Sequence, residues 1–192
     1  MPRVKEFDEA EVLDQALELF RARGFKHTSF ADLVDELGVS RQSLYDTYGD
    51  KQTLYQTALR RYLDRSLDQL RRKLGDEAPV RQVFTQFFDA MINAQCGGGA
   101  PGCFMVNAMV ELSPHDADTR ALAQTHAREI EGLFAARLTA AQRQGEIAKA
   151  KDPTALARYF YHTMLGLAVA VRAQGDKAGL KQTAHLALQV LD

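Results

Sequence analysis

The stretch GFKHTSFADLVDELGVSRQSLYDTYGDKQTLYQTAL, Gly24 to Leu59, decides the fold. Phe30, Leu33, Val34 and Leu37 recur at i, i+3, i+4 and i+7, which lines them up on one face of a helix. Thr28 and Ser29 stand where a cap belongs, and Ser29 with Asp32 completes a capping box. Gly38 can take the positive φ that ends this short helix, Val39 can plug a core, and Ser40 can cap another helix running to about Tyr48. Two short helices flanking a tight glycine turn have the helix-turn-helix spacing, in which the second helix can enter a major groove. A capped helix, a glycine and another helix also occur in proteins that never touch DNA, so the spacing alone leaves both readings open.

Working outward, Val12, Leu13, Ala16, Leu17 and Phe20 predict an amphipathic helix stopped at Gly24. Downstream, Leu54, Ala58, Tyr62, Leu70 and Leu74 predict one long helix, ended by Gly75 to Pro79. Further helices are expected near Val80 to Gln95, Cys103 to Leu112, Asp116 to Gln144, Pro153 to Ala173 and Ala178 to Leu191, with no sustained alternating strand pattern. The expected fold is all-α: a three-helix helix-turn-helix domain over residues 1–52, joined through the long helix to a larger helical domain over residues 53–192. With 192 residues and 46% hydrophobic content, the chain can bury its core without a metal or disulfide scaffold.

Cys96 and Cys103 are the only cysteines, too few for a disulfide framework. The most apolar run, Tyr159 to Val171, is interrupted by His162 and Thr163 and is shorter than the roughly 20 residues that span a bilayer. The amino terminus carries four acids within eleven residues and no apolar core, unlike a secretory signal, so a cytoplasmic location is expected. Residues 1–55 carry seven Lys or Arg against eleven Asp or Glu, so any DNA contact must rest on individually placed side chains, without a basic field.

The placed residues resemble the amino-terminal domain of TetR/AcrR repressors. The resemblance runs through Gly24, Phe25, Thr28, Ser29, Leu33, Gly38, Val39, Ser40, Leu44, Tyr45, Lys51 and Leu54, with Tyr48 where that family usually has Phe. Gln42 replaces a frequent Gly and Thr47 a frequent His, departures that bear on operator sequence. The resemblance implies that Thr28 or Ser29, Tyr45 and Lys51 hold phosphates, while Arg41, Gln42, Ser43 and Thr47 face bases. The chemistry suits those roles. Arg41 can pair bidentately with guanine and Gln42 with adenine, and Lys51 offers a phosphate a charge near a helix start. It also implies a non-enzymatic repressor, a homodimer on a palindromic operator, with a long helix that carries an effector's signal to the DNA-reading head. A helical ligand-binding dimer, or a thiol enzyme using Cys103 with His126 or His162, are the rival readings.

The remaining sequence fits a dimer. Leu156, Phe160, Met164, Leu167 and Val171 form one seam of a helix whose other side carries Tyr161, Leu165 and Val169, and the last helix offers Leu180, Ala184, Leu188 and Leu191. A helix apolar on most sides must be buried on most sides, by a partner or by an ordinary core.

The segment CGGGAPGCFMVNAMVEL, Cys96 to Leu112, is expected to hold the sensor. Its glycines and proline preclude regular helix before Cys103, which then opens one, where exposed N–H groups favour thiolate. Asn107 and Glu111 follow at i+4 and i+8, close to the same face. This segment resembles a Gly-Cys and Asn-containing stretch in an electrophile-responsive subset of the family, which implies that Cys103 senses oxidants or electrophiles, with Cys96 resolving it. A noncovalent apolar effector among Phe87, Phe88, Met91, Phe104, Met105, Met109, Phe134 and Tyr159 is the alternative, and plain core a third. Cys96, Cys103, His115 and His126 lack dense ligand spacing, so neither a metal nor a cofactor is expected.

Overall fold

A computed structural model describes residues 7–95, 102–173 and 176–192. Among them the chain forms α1 (Glu9–Arg23), α2 (Phe30–Leu37), α3 (Arg41–Tyr48), α4 (Lys51–Leu74), α5 (Val80–Gln95), α6 (Phe104–Glu111), α7 (Ala117–Arg143), α8 (Pro153–Arg172) and α9 (Lys177–Ala187), closed by a 3₁₀ turn, Leu188–Leu191. No strand occurs among the described residues, so the fold is all-α as expected.

Local chemistry sets the helix ends. Asp8, Asp50, Asp116, Asp152 and Asp176 each accept backbone N–H groups that the helix cannot satisfy itself. Ser29 and Asp32 close the predicted capping box, and Ser40 accepts from the Ser43 amide. Gly38 sits at φ +63°, the left-handed conformation the turn requires. Pro153 opens α8, where its missing N–H costs nothing.

Two apolar cores form, and they divide within α4. The first gathers α1, α2 and α3 with Leu54, Tyr55, Ala58, Leu59 and Leu63 of α4. The second takes Leu67, Leu70 and Leu74 of α4 with α5, α7, α8 and α9. The sequence division at residues 52 and 53 therefore differs from the division of the packing. More consequentially, α6 joins the first core: Phe104, Met105, Ala108 and Leu112 pack with the amino-terminal helices. Asp14 of α1 fastens that unit to α4 by accepting from Arg61 at 2.6 and 2.9 Å and from Arg65 at 2.7 and 2.9 Å. Hydrogen bonds from those two guanidinium groups hold its carboxyl well below the usual carboxylate range. Among the described residues, no helix is long and apolar enough to cross a membrane.

Candidate nucleic-acid interface and sensor cavity

Helix α3 is rooted by Leu44, which is fully buried, while Arg41 and Gln42 remain exposed at its amino-terminal end. Phe30 of α2 stacks on Tyr45 with ring centroids 4.4 Å apart, and the Arg41 guanidinium lies 5.4 Å from the Phe30 centroid and 5.7 Å from that of Tyr45. This aromatic shelf orients Arg41 without neutralising it. Gln42 donates from Nε2 to Asp46 Oδ1 at 2.7 Å, so Asp46 holds the Gln42 side chain in place. Ser40 Oγ donates to Ser43 Oγ at 2.9 Å, and Ser43 and Thr47 are half-buried. Tyr48 donates its hydroxyl to Glu9 O at 2.8 Å, tying the end of α3 to α1, and burial pushes its pKa up.

Thr28 and Lys51 sit differently from the sequence expectation. Thr28 is fully buried and its Oγ1 donates to Gly24 O at 2.7 Å, so the hydroxyl braces the turn and is withdrawn from phosphate. Ser29 is exposed as the α2 cap. The Lys51 ammonium donates to Phe25 O and Thr28 O, both at 2.9 Å, and lies 4.1 Å from the Phe25 ring centroid. Two of its three donors are therefore spent on the α1–α2 turn, and one remains.

The same turn is held from the other side by α6. Glu111 accepts the Phe25 N–H at 3.0 Å through Oε2 and the Lys26 N–H at 2.7 Å through Oε1. Gly24, at φ +84°, permits this approach, since a Cβ there would stand 2.9 Å from Glu111 Oε2. Asn107 donates to Arg21 O at 3.4 Å, and Arg21 donates to Gly102 O at 2.8 Å. Asn107 and Glu111, expected on an effector face with Cys103, thus reach α1 and its turn. Cys96 lies outside the described residues.

Cys103 is half-buried. Tyr62 of α4 donates its hydroxyl to Cys103 Sγ at 3.5 Å. Burial, and then the neighbouring sulfur, drive the Tyr62 pKa far upward, so the phenol stays protonated. Cys103 opens onto a cavity of about 420 Å³ walled by Phe87, Met91, Val106, Ile130 and Met164. Of the apolar residues expected around an effector, only Phe87 and Met91 line it; Phe88, Phe104 and Phe134 are fully buried core. His126 of α7 also lines it, with 6% exposure. The sequence signal for His126 was its register on α7 with Ala123, Ile130 and Phe134, which sets an ionisable ring on an apolar stripe.

Residues 12–58 match the family described as bacterial regulatory proteins, tetR family, and residues 77–187 match the tetracyclin repressor-like, C-terminal domain. The chain belongs to the TetR family of DNA-binding transcriptional regulators. It is 34% identical, over the whole of both chains, to the uncharacterized HTH-type transcriptional regulator YezE of Bacillus subtilis strain 168. It is 32% identical to the HTH-type transcriptional repressor ComR of Escherichia coli K12, covering 98% of this chain and 90% of ComR. A solved structure of the regulator CifR, a cysteine mutant complexed with 26-base-pair operator DNA, matches at TM-score 0.88 and 24% identity, over 99% of this chain and 100% of that one.

Proposed function

We propose that this chain is a cytoplasmic, effector-responsive repressor that acts as a homodimer on a palindromic operator. The observation that carries the reading is the geometry of α3: its core side is anchored by Leu44, and Arg41, seated on Phe30 and Tyr45, stands exposed at the end a major groove would meet. Arg41 and Gln42 read bases, Ser43 and Thr47 flank them, and Ser29, the Tyr45 hydroxyl and the remaining donor of Lys51 take phosphates. The similarity to the repressor ComR supports the sign of regulation. Val169 on α8 and Leu186 on α9 are 51% and 63% exposed, an apolar face suited to a second copy of the chain.

The test is gel retardation with the intergenic DNA beside the gene. Wild type is expected to retard one fragment selectively, and Arg41→Ala to lose about 5- to 100-fold of that discrimination, the worth of one bidentate base contact. An unchanged operator preference in Arg41→Ala overturns the assignment.

The effector acts by preferring the arrangement that does not bind DNA, since equal affinity for both shifts nothing. Cys103, half-buried beside the Tyr62 hydroxyl and open to the cavity, is placed to react with an electrophile or oxidant. On that reading wild type releases DNA on exposure to a quinone while Cys103→Ser stays bound. Equal release by both assigns the response to noncovalent binding in the cavity.

A further inference from the structure

The wall that α4 gives the cavity is polar, and those given by α5, α7 and α8 are mostly apolar. Tyr62, Arg65, Ser66, Gln69, Leu70 and Lys73 of α4 line it. Their spacing of three and four residues keeps them on one stripe of the helix. Phe87 and Met91 of α5, Ile130 of α7 and Met164 of α8 supply apolar surface. The volume of about 420 Å³ lies within the range of small-molecule sites.

The charges around the cavity do not cancel. Arg21 pairs with Glu18 at 3.4 Å and donates to Gly102 O. Arg65 donates to both oxygens of Asp14, a carboxylate it shares with Arg61. Burial pushes the His126 pKa down to about 4, so that ring is neutral. The Lys73 ammonium has no ion pair or hydrogen bond among the described residues, and neither have the Gln69 amide and the Ser66 hydroxyl. Lys73 belongs to a last turn that also carries Arg71 and Arg72, of which Arg71 is paired with Asp68 at 2.9 Å. The carboxyl end of a helix dipole amounts to only about half a negative charge, so this turn is left cationic.

We infer that the cavity takes an amphipathic organic monoanion, its carboxylate held by Lys73 and by Gln69 one turn before it, and its apolar body laid against Phe87, Met91, Ile130 and Met164. The inference rests on the effector-responsive reading and names its ligand class. A monoanion has its charge answered by one ammonium, and a neutral ligand gains nothing from Lys73. A cation would meet Arg21, Arg65 and Lys73 with only Glu18 in the wall to offset them.

The probes are 2-naphthoate, 2-naphthamide and 2-naphthylmethylammonium, titrated calorimetrically into the full chain without DNA at neutral pH. They share one body and differ in the charge of the head. Wild type is expected to bind the naphthoate about five- to ten-fold more tightly than the amide, as suits a charged contact to a partly exposed ammonium, and the cation most weakly. Raised salt should shrink the preference. Lys73→Met keeps most of the apolar stem and should bring naphthoate and amide within about two-fold of each other while retaining the amide, whereas Lys73→Arg should keep the preference. Lys73 is exposed, so the melting temperature of Lys73→Met should stay within about 2 °C of wild type, which separates loss of the charge from loss of the fold. Binding of no probe by wild type, a preference for the amide or the cation, or an undiminished preference for naphthoate in Lys73→Met overturns the inference. Release of operator DNA by naphthoate is a separate readout: retention of DNA despite Lys73-dependent binding counts against the effector-responsive reading and leaves the site standing.

Discussion

Glu111→Ala is expected to lower the melting temperature by about 3–12 °C and to speed amide exchange at Phe25 and Lys26 selectively. The carboxylate takes both N–H groups of the turn that leads into α2, at 3.0 and 2.7 Å. Charge-assisted hydrogen bonds of this kind contribute about 1.5–3 kcal/mol, and in a chain of this length 1 kcal/mol corresponds to about 2–4 °C. Glu111→Gln keeps one acceptor oxygen and loses the charge, so it should fall between wild type and Ala on both measurements. The consequence for function follows from where α6 lies. One end of this short helix presents Cys103 and Val106 to the cavity, and the other end grips the turn beside Thr28 and Lys51. On the effector-responsive reading proposed above, a displacement of α6 would be delivered to the reading head through Glu111, so the Ala variant should bind operator more weakly and respond less to effector. Unaltered protection at Phe25 and Lys26, with an unaltered melting temperature, would remove the basis for this route.

The helix-turn-helix was legible because its determinants are local. The capping box at Ser29 and Asp32, the positive φ of Gly38 and the Ser40 cap are settled by neighbours within a few residues, and each formed as read. The helices of the carboxy-terminal part ended within one to several residues of expectation for the same reason: Asp116, Asp152 and Asp176 are local caps. Roles that depend on a fold-back were not legible. Thr28 and Lys51 carry the residue types of phosphate contacts, yet the turn brings Gly24 O and Phe25 O within their reach. Helical spacing put Cys103, Asn107 and Glu111 near one face, but spacing cannot say which neighbour a face meets. Here α1 and its turn take Asn107 and Glu111, and Cys103, a full turn away, looks into the cavity. His126 was legible as a chemical group and not as a cavity wall, because burial without a partner is a property of packing.

Phe104→Ala should be the most damaging single change in α6, costing about 3–5 kcal/mol out of the 5–15 kcal/mol typical of a folded domain. The ring is fully buried, edge-on to Tyr55 at 5.1 Å and to Tyr62 at 5.8 Å, both on α4. Tyr55 in turn meets Phe20 at 5.0 Å and Phe25 at 5.1 Å, so the cluster runs from α6 through α4 to α1 and the turn. Removing Phe104 opens a cavity at the centre of the core that the reading head shares with α6, where neither α4 nor α1 can collapse without disturbing Asp14 and its two arginines. Val110, one and a half turns on and 74% exposed, is the matched control, and Val110→Ala should stay within about 0.5 kcal/mol. Denaturant melts give the size of the loss, and hydrogen exchange gives its location. If α6 belongs energetically to the reading head, Phe104→Ala lowers protection in α1 and the first half of α4 at least as much as in α7 and α8. Loss confined to α7 and α8, with α1 unchanged, would show that the shared core does not couple the two parts.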